Sequence, residues 1–95
     1  MKGTVTLIVP CYNEEESLPI FYHAVCDVAQ TLPDYQMTFL LINDGSKDNT
    51  LQIMRNLAAK DERVKFLSFS RNFGKEAAMY AGFEHATGDY VCMMD

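Results

Sequence analysis

The sequence predicts an α/β fold, a doubly wound, mainly parallel sheet whose strands alternate with helices in the order βαβαβαβ. Four short runs of apolar and β-branched residues have the length and composition of buried strands. The three stretches between these runs have the spacing or composition of helices. Because single helices between strands form right-handed crossovers to parallel neighbours, an open sheet with helices on both faces is expected.

The predicted strands are residues 4–9, 37–42, 64–69 and 90–94. Their sequences are TVTLIV, MTFLLI, VKFLSF and YVCMM. Branched aliphatic and aromatic residues dominate them, which is typical of strands packed inside a sheet.

The first helix is predicted from about residue 14 to residue 31. Asn13 is its predicted N-cap, and Glu16, three residues later, would complete a capping box. Pro19 falls in the first turns, where proline is tolerated. The apolar stripe that recurs at helical spacing consists of Leu18, Phe21, Tyr22, Val25, Ala29 and Leu32.

Two further helices are predicted between the later strands. The second closes before Asp61 and carries the stripe Leu51, Met54, Leu57 and Ala58. The third lies within GKEAAMYAGFEHA, whose small residues allow a helix to approach a sheet closely, and TGD ends it.

Composition limits the chain to one small domain or part of one, since 95 residues with 48% hydrophobic content are too few for two. With 8 basic and 13 acidic side chains the net charge is -5, so no nucleic-acid partner is expected. Cys11, Cys26 and Cys92 have no metal-ligand spacing and are interpreted as packing residues of a protein in a reducing compartment. No apolar run approaches the ~20 residues of a membrane span, so this segment is expected to be soluble.

Polar residues follow each predicted strand, at the edge of the sheet where α/β proteins bind ligands. The four segments read PCYNEEE, NDGSKDNT, SRNFGKE and a final Asp95. Neither GxGxxG nor GxxxxGK[ST] occurs, so a dinucleotide fold and a P-loop enzyme are not indicated. A phosphoacceptor receiver domain would need an aspartate after the third strand, where Ser70 and Arg71 stand instead.

The segments TLIVPCYNEEESLP, LLINDGSKDNT and SFSRNFGKEAAMYAGFEHATGDYVCMMD resemble the N-terminal part of inverting, family 2 type glycosyltransferases with a GT-A (Rossmann-like) fold. They are most similar to bactoprenol glucosyltransferases and dolichol-phosphate mannosyltransferases. The resemblance covers essentially residues 1–95, which would form the nucleotide-sugar-binding part. The resemblance implies that a hexose is transferred from UDP-glucose to a polyprenyl phosphate; a GDP-sugar is the less favoured donor. It also implies that Mg²⁺ or Mn²⁺ is required and that the reaction takes place on the cytoplasmic side of a membrane.

The residues themselves support a nucleotide site. A carboxylate fixed at a strand end, as predicted for Asp44, can accept a hydrogen bond from a ring N–H of uracil or of guanine. Gly45 would permit the sharp turn that close ligand approach demands, and Ser46 would cap the next helix or meet the ribose. Plain turn and capping chemistry is the alternative for Asp44 and Ser46.

Further candidates follow the first and third strands. Pro10 would stiffen the strand exit, Tyr12 could lie beside the base, and Glu14 could contact the nucleotide or only favour a helix N-terminus. Arg71 and Lys75 are candidates for the diphosphate, with solvated surface charge as the alternative.

The resemblance adds a role for Asp95, which would begin an Asp-x-Asp pair that holds the ribose and the metal ion. It also implies that the catalytic base and acceptor site lie beyond residue 95, so that the isolated 95 residues are inactive. A non-catalytic nucleotide-binding module and a receiver-like signalling domain remain alternatives. If the fourth strand lies beside the first, as the family's strand order implies, YVCMM would be an apolar edge and the isolated fragment would self-associate.

Overall fold

A computed structural model describes residues 3–94, which form a four-stranded parallel sheet with helices on both faces. The strands are β1 (Gly3–Cys11), β2 (Tyr35–Asn43), β3 (Val64–Ser68) and β4 (Tyr90–Met93). The helices are α1 (Leu18–Gln30), α2 (Thr50–Lys60) and α3 (Lys75–His85). This is the βαβαβαβ order that the sequence predicts.

The strand order is β3-β2-β1-β4, and all neighbours are parallel. The chain therefore builds outward from β1 to β3 and then crosses back to place β4 on the other side of β1. The predicted position of the fourth strand beside the first is confirmed. The reversal of strand order beside β1 creates the switch point at which open α/β sheets bind ligands.

Pro10 is tolerated inside β1 because β4 ends early. Its neighbour on the β2 side is Ile42, whereas the pairing with β4 stops at Ile8 and Met93. Proline lacks an N–H, so a strand accommodates it where no partner needs that donor. The strand exit is thus stiffened where the first polar loop begins.

Two hydrophobic clusters hold the layers together. Helices α1 and α2 cover the larger one, in which Phe39, Met54 and Val64 are fully or almost fully buried. Helix α3 covers the smaller one, built on Ile8, Leu40, Ile42 and Ala78. A Cβ on Gly82 would lie 2.5 Å from Cγ2 of Ile8, so the small residues of α3 do allow the close approach that was predicted.

The start of α1 differs from the sequence prediction. The helix begins at Leu18 rather than near residue 14, and its N-cap, Ser17, makes no side-chain capping bond. Asn13 does not cap it, because the Asn13 side chain accepts a hydrogen bond from the backbone N–H of Lys47 (2.8 Å). The predicted capping box with Glu16 is therefore wrong, since the loop's polar groups bind a neighbouring loop instead.

Within residues 3–94, no helix has the length and apolar character needed to cross a membrane.

A polar network lies at the amino-terminal end of β3, far from the strand ends that carry the motifs. Asp61 accepts hydrogen bonds from the hydroxyl of Tyr22 (2.6 Å) and from Nη2 of Arg63 (2.8 Å). The Arg63 guanidinium also lies 5.2 Å from the centre of the Phe39 ring. These contacts hold the pKa of Asp61 well below its usual range and raise that of Tyr22.

We expect Asp61→Asn to destabilise the protein by about 1–2 kcal/mol at neutral pH, because the charged acceptor of this network is lost. A carboxyl whose pKa is depressed by folding stabilises above its unfolded pKa and loses that contribution as the pH falls. The deficit of the variant should therefore shrink below about pH 4. Urea unfolding at several pH values measures the free energy of unfolding of the native protein, of Asp61→Asn and of the matched control Asp27→Asn, whose side chain is exposed. A difference between the native protein and Asp61→Asn that does not change with pH would contradict the prediction.

Self-association of the isolated fragment remains a prediction, and the edge that would drive it lies on β4. Among the described residues no strand pairs with the outer edge of β4, and Tyr90, Val91 and Cys92 are exposed. We expect light scattering to detect oligomers at tens of micromolar, roughly the range in which exposed edges become hazardous. Val91→Lys should restore the monomer, because a charge blunts an edge strand. A native fragment that stays monomeric would contradict the prediction.

Candidate functional site

A cavity of about 220 Å³ opens at the carboxyl ends of β1 and β2. It is lined by Pro10, Cys11, Tyr12, Glu14, Asp44 and Lys75. All of these except Cys11 are residues that the sequence predicts to bind a nucleotide. The fold therefore brings together candidates from three separate loops at the switch point of the sheet.

Asp44 connects these loops. Asp44 is only 3% exposed, and its backbone N–H donates a hydrogen bond to the carbonyl of Cys11 at the end of β1 (2.9 Å). Its carboxylate accepts the backbone N–H groups of Phe73 (2.8 Å) and Gly74 (3.1 Å) and the side-chain amide of Asn72 (3.1 Å). The carboxylate that was predicted to meet a base thus also holds the loop between β3 and α3.

Gly45 is required by the approach of the chain's own backbone. Its φ is +70°, which favours glycine, and a Cβ there would lie 2.1 Å from the carbonyl carbon of Arg71. The structure confirms the predicted sharp turn at Gly45. The space beside Gly45, which the prediction assigns to a ligand, is occupied by the backbone of the β3–α3 loop. Asn72 also donates to the backbone carbonyl of Asp44 (3.1 Å), which holds the two loops in contact.

The loop after β1 is fixed to the loop after β2. The N–H of Asn13 donates to Oγ of Ser46 (2.9 Å), and that of Glu14 donates to Oγ1 of Thr50 (2.8 Å). Asp48 accepts the N–H groups of Glu15 (3.2 Å) and Thr50 (2.9 Å). Ser46 does not cap α2, whose N-cap is Asn49.

Cys11, the last residue of β1, and Glu14, in the loop that follows, both line the cavity. Glu14 is exposed, and its carboxylate accepts the hydroxyl of Ser17. Burial, and secondarily the nearby Glu14 charge, raises the pKa of Cys11 to about 12. Cys11 is therefore a neutral thiol at physiological pH and no nucleophile, in agreement with its interpretation as a packing residue.

The two predicted phosphate ligands occupy different positions. Lys75 is the first residue of α3 and lines the cavity. Arg71 does not line it, and its guanidinium stacks on the ring of Phe73 at 4.5 Å. Gly45 and Ser46 likewise support the loops outside the cavity wall.

Asp95, the predicted metal ligand, lies outside the described residues. Among residues 3–94 there is no group of three or more His, Cys, Asp or Glu side chains arranged to hold a metal ion. A protein-only metal cage is therefore not formed by this part of the chain.

Sequence reasoning missed Asn72, Asp48 and Thr50 as parts of the site. Thr50 is fully buried and supports the first loop, and Asn72 bonds Asp44 twice. The only signal was the position of these polar residues in segments that follow strands. Nothing in their spacing indicates which loop each one contacts.

Three relatives illustrate the sequence similarity. The chain is 50% identical over 91 residues to the prophage bactoprenol glucosyl transferase homolog of Escherichia coli K12 and to the bactoprenol glucosyl transferase of Shigella phage SfX. It is 46% identical over 95 residues to the putative glycosyltransferase CsbB of Bacillus subtilis. These matches cover 96%, 96% and 99% of this chain but 29%, 30% and 28% of the relatives. The chain thus spans less than a third of the length of the curated relatives it matches.

Solved structures agree on the fold. The S. aureus TarS 1–349 crystal structure superposes with a TM-score of 0.80 at 24% identity, over 97% of this chain and 27% of that one. The mannosyltransferase PcManGT from Pyrobaculum calidifontis, in complex with GDP-Man and Mn²⁺, superposes with a TM-score of 0.73 at 25% identity. This match covers 96% of this chain and 26% of that one. The family model described as glycosyl transferase family 2 matches residues 6–95. Because this family model covers residues 6–95, the chain belongs to glycosyl transferase family 2, and its parallel sheet agrees with that assignment.

Proposed function

We propose that the protein transfers a hexose, specifically glucose, from UDP-glucose to a polyprenyl phosphate. The observation that carries the proposal is the cavity at the switch point, whose wall includes five residues predicted to bind a nucleotide. The names of relatives at 50% identity support the choice of glucose and of bactoprenol phosphate as acceptor. A GDP-sugar is the less favoured donor.

In this proposal the cavity binds the nucleotide half of the donor. One oxygen of Asp44 accepts a ring N–H of the base, and the ring of Tyr12, which is 42% exposed, lies against the base. Lys75 attracts the diphosphate, and Glu14 contacts the ribose side of the nucleotide. Pro10 limits the movement of the wall between them.

Three predicted ligands have no place in the cavity wall. Ser46 and Gly45 contribute by fixing the loops, and Arg71 would have to leave Phe73 to reach a phosphate. Of these two cations, Lys75 is the one whose residue lines the cavity, so the direct contact is assigned to it.

A divalent ion, Mg²⁺ or Mn²⁺, completes the proposed site. Since residues 3–94 offer no cluster of ligands, the ion would depend on diphosphate oxygens and on Asp95, which suits Mg²⁺ because it commonly takes one or two carboxylates beside substrate phosphates. When bound, it neutralises charge on the leaving diphosphate.

The reaction would be a displacement at the anomeric carbon. A phosphate oxygen of the acceptor forms a bond to C1 of glucose, the bond from C1 to the diphosphate oxygen breaks, and UDP leaves with that electron pair. No described residue is assigned as the catalytic base. Because the proposed acceptor is a membrane lipid, the reaction would take place at a membrane, and we propose its cytoplasmic side. The family match does not favour a receiver-like domain.

The base contact predicts that Asp44→Ala lowers the affinity of the full-length protein for UDP by about tenfold or more, since a hydrogen bond to a charged group is lost. Calorimetric titration measures the affinity. Because Asp44 also holds a loop, Tyr12→Ala serves as a second variant that removes only an exposed ring. Asp27→Asn on α1 is the control and should bind UDP normally; unchanged affinity in both cavity variants would rule out this nucleotide site.

The metal contact predicts that the full-length enzyme requires a divalent ion and that Asp95→Ala loses most of its activity. The assay follows glucose transfer from UDP-glucose to polyprenyl phosphate with Mg²⁺, Mn²⁺ or a chelator. The isolated residues 1–95 should transfer no sugar with any ion. Full activity in the chelator, or turnover by the fragment, would contradict the assigned role of Asp95.

A further inference from the structure

The two oxygens of the Asp44 carboxylate are used unequally. Oδ2 accepts two hydrogen bonds, from the Asn72 side-chain amide and from the Gly74 N–H, both at 3.1 Å. Oδ1 accepts one, from the Phe73 N–H at 2.8 Å. A carboxylate oxygen has two lone-pair positions, so Oδ2 is saturated by these described residues and Oδ1 retains one position.

That remaining position is where a ligand would meet Asp44. The residue is 3% exposed, and it borders the cavity beside Tyr12 and Lys75. A group in the cavity can therefore form one good hydrogen bond with this carboxylate. A second bond would have to displace a loop donor from Oδ2.

We propose that Asn72 is a specificity-determining residue, because its amide occupies the acceptor position that a second donor of a base would need. The inference rests on the proposed function, in which Asp44 contacts the base. It predicts a site that accepts a base with one N–H at the contact and gains nothing from a second, adjacent donor.

The chemistry of the bases makes this a choice between nucleotides. Uracil presents a single imide N–H between two carbonyl groups. Guanine presents a ring N–H beside an amino group, and such a pair of donors suits both oxygens of a carboxylate at once. Asp44, with Oδ2 closed, matches uracil and leaves the guanine amino group without its acceptor.

Asn72 is the removable part of this arrangement. The donors from Phe73 and Gly74 belong to the backbone, whereas Asn72 donates through its side chain. Although Asn72 is exposed overall, its amide is fixed by a second bond to the backbone carbonyl of Asp44 at 3.1 Å. Gly45 allows the Arg71–Asn72 backbone to lie close enough for both bonds.

The test compares guanosine diphosphate with inosine diphosphate, which differ only by the amino group on the purine. Each competes against labelled UDP for the full-length native protein and for Asn72→Ala. The native protein should bind the two purine nucleotides with about equal affinity. In Asn72→Ala the ratio should shift toward guanosine diphosphate by about tenfold, the size expected for one hydrogen bond to a charged acceptor.

Phe73→Ala is the matched control. It removes the ring that packs against Phe69 and Arg71 but keeps every donor to Asp44, so it should weaken all nucleotides alike and leave the purine ratio unchanged. A ratio that shifts equally in both variants would show a general loosening of the loop and overturn the inference. A native protein that binds guanosine diphosphate about tenfold more tightly than inosine diphosphate would overturn it as well, even if no variant folds.

A second pair of ligands separates this inference from the proposed function. Cytosine lacks the N–H that uracil offers at the corresponding ring nitrogen, so CDP should bind the native protein about tenfold more weakly than UDP. Equal binding of CDP and UDP would overturn the base contact itself. A UDP preference combined with an unchanged purine ratio in Asn72→Ala would leave the base contact standing and overturn only the role of Asn72. Failure of both purines to bind either protein would also overturn it, because the size of the cavity would then select the base.

Discussion

The loop between β3 and α3 is held at the carboxyl edge of the sheet by the buried carboxylate of Asp44. Burying a charge is unfavourable unless hydrogen bonds replace its hydration. Here the loop between β3 and α3 supplies three donors, two of them backbone N–H groups that would otherwise need other partners. The Asp44 carboxylate therefore provides hydrogen-bond acceptors for the loop, and the loop's donors compensate for the lost hydration of the carboxylate. These bonds hold the start of α3 against the end of β2.

A second set of contacts ties the first loop to the same edge. Asn13 and Ser46 join the segments after β1 and β2, and Asp48 and Thr50 support the backbone at Glu14 and Glu15. Asn13 adopts a φ of +53°, an uncommon conformation for a residue other than glycine, to reach its partners. The cavity wall is thus ordered by the protein itself, which reduces the ordering that the proposed nucleotide would have to impose.

The opposite end of the sheet uses charge differently. Asp61, Arg63 and Tyr22 satisfy one another beside α2 and β3, and the arginine covers the Phe39 ring. The Tyr22–Asp61 and Arg63–Asp61 hydrogen bonds link α1 to the segment between α2 and β3. The depressed pKa of Asp61 therefore reports on stability, whereas the functional edge is marked by convergence of loops at a switch point.

The sequence by itself determined the elements and the family. Apolar runs and helical stripes are local patterns that follow directly from burial, so the strands, α2 and α3 were predicted with small boundary differences. The start of α1 failed because Asn13 and Glu16 have the local pattern of a capping box, but a neighbouring loop competes for Asn13. A local pattern contains no information about that competitor.

Only the tertiary structure decided what the polar residues contact. The sequence placed Pro10, Tyr12, Glu14, Asp44 and Lys75 at strand ends, and the strand order brought them to one cavity. It could not show that Asp44 already holds Asn72, or that Gly45 makes room for Arg71, since those partners lie 28 and 26 residues away along the chain. Such contacts depend on how two crossovers return to the same edge of the sheet, because loops distant in sequence meet only after the strands between them have paired.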